Sequence, residues 1–104
     1  MALRPPTLLA TPSSRHGGVN PLEVEIAAEM ASTLGRAGEK VERSLARLRA
    51  QEPGAPDRVA LLKEATEAVY AYFIQRELCG MRRHHDVIRE YAIPNEVLVR
   101  LGAK

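Results

Sequence analysis

The chain has 104 residues, one cysteine, one Phe, three Tyr, no Trp and a formal charge of +2. That length holds one domain with an aliphatic core, and a chain so short gains from partner contacts because it buries a smaller share of its surface. The single Cys79 excludes an internal disulfide framework and fits a reducing, cytoplasmic setting. No stretch approaches the roughly 18 apolar residues of a membrane span, and the amino terminus lacks the apolar region of a secretory signal. Residues 1–19 hold Arg4 and Arg15 and no acid, so removing these two from the 15 basic residues leaves 13 against 13 acidic ones from Asn20 onward. A folded part without net charge lacks the field that draws proteins to phosphate backbones, so nucleic acid is not the expected partner.

Residues 1–19 are rich in Pro, Gly, Ser and Thr without helical or strand periodicity, the composition of a disordered tail. A single domain is expected over 20–104. Its first helix opens at Asn20-Pro21-Leu22-Glu23, where Asn20 suits the cap, Pro21 the first helical position and Glu23 the reciprocal capping carboxylate. It runs to about Ala50, with large apolar residues at Leu22, Ile26, Met30, Leu34, Val41, Leu45 and Leu48 in a 3.6-residue period. Glu23, Glu25 and Glu29 precede a more basic second half, which complements the helix macrodipole and would also favour antiparallel pairing.

Pro53-Gly54-Ala55-Pro56-Asp57 forms the turn that follows. A second helix spans about Pro56 to Cys79, with Gly80 as its stop. Residues 68–74, Ala-Val-Tyr-Ala-Tyr-Phe-Ile, are apolar on every side, which predicts a helix buried all round and needing more neighbours than a hairpin supplies. Two short helices complete the chain, His84–Tyr91 and Pro94–Leu101, the latter with Gly102 past its end. They are expected to pack across one end of the hairpin.

Four stretches carry a resemblance: Asn20-Pro21-Leu22-Glu23, Leu34-Gly35-Arg36-Ala37-Gly38, Gln75-Arg76-Glu77-Leu78-Cys79-Gly80, and Ile93-Pro94-Asn95-Glu96-Val97-Leu98-Val99-Arg100-Leu101-Gly102. Over about Asn20 to Gly102 the chain resembles a family of small bacterial helical proteins of unknown function. The resemblance implies a bacterial, cytosolic helical protein and carries no activity with it.

The sharpest signal is a row of small residues, Ala27, Ala31, Gly35 and Gly38, beside the large apolar row of the first helix. Each helical glycine costs on the order of 1 kcal/mol relative to alanine, and close approach of another backbone would offset that. The competing reading is a helix broken at Gly35 or Gly38; the periodicity running through both favours a continuous one.

Arg82-Arg83-His84-His85, with Arg89 one turn on, form the one dense basic cluster, of which Arg82, Arg83, His85 and Arg89 are the candidate polyanion contacts. It follows a Gly-containing turn, as in a helix-turn-helix reader of DNA. Yet bulky Arg76 falls where that motif needs a small residue, and Asp86 and Glu90 interrupt the basic surface, so a solvated face is the simpler reading. Cys79, His84, His85 and Asp86 include metal-ligand types without paired ligand spacing, and adjacent histidines on a helix point about 100° apart. A Cys-His-Asp nucleophile built from the same residues has no supporting turn or oxyanion site. Arg76 and Glu77 are either a buried or interface pair, or simply an exposed edge.

These readings converge on an all-α, non-enzymatic assembly or interaction protein without metal or cofactor. A long antiparallel hairpin and two short helices would be completed by homodimerisation or higher oligomerisation, a further protein partner being left open. The candidate interface comprises Ala27, Ala31, Gly35, Gly38, Tyr70, Phe73 and Ile74. The alternative is weak polyanion binding through Arg82, Arg83, His85, Arg89 and the tail.

Overall fold

The computed structural model describes residues 20–102, so the tail expected over 1–19 lies outside the described residues. The order is α1 (Pro21–Arg49), α2 (Arg58–Leu78), α3 (His85–Glu90) and α4 (Asn95–Arg100), and no strand occurs among the described residues. Asn20 caps α1 by accepting the Leu22 N–H on Oδ1 at 2.8 Å. The helix continues unbroken through Gly35 and Gly38. α2 ends because Gly80 takes φ +93°, which turns the Met81 N–H back to the Arg76 carbonyl at 2.9 Å, while the Gly80 N–H bonds the Glu77 carbonyl at 3.0 Å.

The core is aliphatic, as the composition requires. Val41, Leu45 and Leu48 of α1 meet Leu62, Ala65, Val69 and Tyr72 of α2, and Val87, Ile93 and Val97 close it from the carboxy-terminal segment. Arg47 bonds Glu64, and Gly38 lies against the Tyr72 ring. Moving nine residues back along α1 thus answers to eight residues forward along α2, an antiparallel register. Carried on to Leu78, the last residue of α2, that register ends opposite about Ser32. Everything from Pro21 to about Ala31 therefore projects past the end of α2, an overhang of about 16 Å at 1.5 Å per residue.

The short helices do not pack across one end of the hairpin. They return along its length. His84 touches Arg76 at the far end of α2, Tyr91 stacks edge-on against Tyr72 near its middle at 5.7 Å, and Glu96 reaches Arg58 at its start. The Arg58–Glu96 contact is a two-pronged pair at 2.9 and 2.6 Å, which pulls the Glu96 carboxyl below its usual range. Arg49 secures the α3–α4 corner by donating to the Tyr91 and Ala92 carbonyls at 2.7 and 2.8 Å, where Ala92 takes φ +52°. Anchors spaced along the hairpin, rather than one apolar end, set this path.

Segment 68–74 is not buried all round within the chain. Ala68, Val69 and Tyr72 are buried, but Tyr70 is 59% and Ile74 39% exposed. One neighbouring helix covers one face, and among the described residues nothing covers the opposite one.

Candidate functional site

Among the described residues, two apolar surfaces have no partner. The first is the α1 overhang, which exposes Leu22, Val24 and Ile26 and carries half-buried Ala27 and Met30. At 100° per residue, Ile26, Ala27 and Met30 lie within about 70° of the face that Leu34, Val41, Leu45 and Leu48 turn toward α2. The packing face of α1 thus continues past the helix it packs against. The second surface is a row on α2 at four-residue spacing, Tyr70, Ile74 and Leu78, all exposed. It lies about 130–170° round the helix from the core-facing side of Val69, Tyr72 and Arg76.

The predicted interface residues divide between these surfaces and the core. Ala27 and Ala31 are on the overhang, and Tyr70 and Ile74 are on the α2 row. Gly35 is exposed with nothing within 4 Å of an added Cβ, on the side of α1 away from α2. Gly38 and Phe73 are committed within the protomer. Gly38 is buried beneath Tyr72 and Tyr91, so the backbone approach its size permits is that of the chain's own aromatic pair. Phe73 stacks on the His84 imidazole, 4.2 Å between centroids and 6° from parallel. Sequence reasoning did not single out Leu22, Ile26, Met30 and Leu78 as apolar surface beyond what the hairpin covers. The signal was available in the unequal lengths of α1 and α2, 29 against 21 residues.

Arg76 and Glu77 do not pair directly: Arg76 is buried, Glu77 is exposed, and His84 lies between them. Arg76 is buried, and its Nε donates to His84 Nδ1 at 3.1 Å while Nη2 donates to the Arg83 carbonyl at 2.9 Å. The other imidazole nitrogen, Nε2, lies 2.9 Å from Glu77 Oε2. Asp86 lies 3.5 Å from Nη2, and the guanidinium sits 5.9 Å from the Tyr72 ring centroid. This clasp fixes the α2–α3 turn, and it fills with a buried arginine the place a DNA-reading turn keeps for a small residue.

The basic residues beside the clasp, Arg82, Arg83, His85 and Arg89, have exposed side chains, and Asp86 and Glu90 share their surface. Cys79 is half-buried as the cap residue of α2. Among the described residues no three His, Cys, Asp or Glu side chains come together to hold a metal ion, and no helix is long and apolar enough to cross a membrane. A shallow groove of about 400 Å³ lies at the hairpin turn between Arg47, Ala50, Asp57 and Leu61, and its one cation, Arg47, is engaged by Glu64.

No curated protein and no solved structure matches the chain. A family model does, and its match runs over residues 1–104, taking in the amino-terminal segment as well as the helices. The chain belongs to that family, the family of unknown function DUF6665.

Proposed function

We propose that this chain is a non-enzymatic helical assembly module that self-associates through the amino-terminal half of α1. The observation that carries the reading is the continuation of the α1 packing face for about eleven residues past the end of α2. An isolated amphipathic helix of that length is marginal in water, because helices in proteins owe most of their stability to packing of the apolar face. A partner surface over Ile26 and Met30 supplies that packing. A second copy of the chain would supply such a surface, and two-fold dimers are the commonest closed assembly.

Sedimentation equilibrium tests the proposal on the full chain. The wild type is expected to dimerise at micromolar concentration. Ile26→Asp, at a position already 38% exposed, should abolish dimer while circular dichroism retains most of the helicity. A wild type that stays monomeric at high micromolar concentration refutes it.

A further inference from the structure

We infer that the occupant of the Tyr70–Ile74–Leu78 row is the α1 overhang of a second copy, so that each α2 end lies between two α1 helices. This rests on the assembly reading above and specifies its geometry. The two unpartnered surfaces fit each other in length: the overhang spans about 16 Å and the α2 row about 12 Å from Tyr70 to Leu78. They also fit in direction. The overhang presents the face that α1 already uses to pack on α2, and the α2 row lies nearly opposite the side that its own α1 covers. A two-fold axis close to the end of α2 satisfies both at once. It sets the two α2 helices end to end and lays each α1 first along its own α2, then along the partner's.

The same operation makes each overhang parallel to the α2 segment it covers, with small residues meeting large ones. Ala27 and Ala31 recur at the four-residue interval that separates Ile74 from Leu78, so rows of equal pitch interleave. This gives the small residues of the overhang the close-packing role that their size suggests. The apolar side chains that turn toward this contact are Ile26, Ala27 and Met30 of the overhang and Tyr70, Ile74 and Leu78 of the row. Two such contacts per dimer cover both surfaces of both copies, whereas either surface pairing with itself would leave the other open.

Disulfide trapping in a Cys79→Ala background, with circular dichroism to verify folding, tests the arrangement. Within one chain, positions 27 and 74 are separated by about nine residues of helix rise, about 14 Å, which no disulfide spans. Ala27→Cys mixed with Ile74→Cys should give a covalent mixed dimer on mild oxidation, while neither variant alone gives one. Dimerisation of the Ile74→Asp chain should weaken at least tenfold. If the wild type dimerises but Ala27→Cys alone cross-links, the overhangs pair with each other and this geometry is wrong while the assembly reading stands. A dimer in which the mixture fails to cross-link and Ile74→Asp has no effect has the same consequence. A monomeric wild type overturns both, whatever else covers the row.

Discussion

Gly38 and Tyr91 are in direct apposition: a Cβ built on Gly38 would lie 2.9 Å from the Tyr91 hydroxyl oxygen and 3.4 Å from Cε1 of Tyr72. The glycine is thus what allows the C-terminal segment to lay its tyrosine across α1. Gly38→Ala gains up to about 1 kcal/mol of helix propensity but must push Tyr91 aside, an overpacking cost of typically 1–3 kcal/mol. The expected net is a loss of stability in urea denaturation. Tyr91→Phe removes the oxygen that the methyl meets, so Gly38→Ala in a Tyr91→Phe background should cost less than in the wild type. The difference between the two costs is the coupling of the pair.

Gly35, one helical turn away, should behave in the opposite way. No atom lies within 4 Å of an added Cβ, so Gly35→Ala should stabilise the protomer by about 0.5–1 kcal/mol through backbone entropy and propensity. Because its side of α1 faces away from α2 and from the proposed partner, Gly35→Leu should leave the sedimentation behaviour unchanged. Loss of dimer in that variant would move the interface to the outer side of α1.

The alkaline limb of stability should belong to Tyr91. Burial first, then the Tyr72 hydroxyl and the negative charges of Glu90 and Glu42, push its phenol from the ordinary value of 10.0 up to about 12. The unfolded chain therefore ionises first. The stabilisation from keeping the phenol neutral is complete below pH 10 and is lost as pH rises through about 12. Denaturation midpoints measured across that window should fall for the wild type and flatten for Tyr91→Phe. Equal slopes in the two proteins would assign the effect elsewhere.

The long helices were legible because each carries its own punctuation: Asn20-Pro21 at one start, Pro53-Gly54 between, Gly80 at the end. Periodicity also revealed Val41, Leu45 and Leu48 as a core face. What it left open was which neighbour each face meets. Gly38 and Ala27 read alike in sequence, yet Tyr72 and Tyr91 cover the first and the second lies on the overhang. Separating them needs the register between α1 and α2, which is set by contacts such as Arg47–Glu64 that lie far apart in the chain. Arg76 was illegible for a related reason. A charged residue after an apolar run reads equally as a buried group or an exposed edge until His84 and the Arg83 carbonyl are brought back to it by the Gly80 turn.

That clasp makes a prediction about one proton. Arg76 Nε can only donate, so His84 Nδ1, which receives it at 3.1 Å, must be the bare nitrogen, and the hydrogen resides on Nε2, facing Glu77 at 2.9 Å. Nitrogen chemical shifts of the imidazole should therefore show the Nε2–H tautomer at neutral pH. Arg76→Leu keeps the stem packed near Tyr72 but deprives Nδ1 and the buried Arg83 carbonyl of their donor. Removing hydrogen bonds to a charged group of this kind costs about 1.5–3 kcal/mol each before relaxation, so a loss of at least about 2 kcal/mol is expected. The tautomer should then no longer be fixed, and the amides of the α2–α3 turn should exchange faster than in the wild type. Glu77→Gln, whose amide oxygen still accepts from Nε2, should preserve the tautomer and most of the protection. If Arg76→Leu leaves the imidazole shifts unchanged, the arginine does not orient His84, and stacking on Phe73 alone holds the ring.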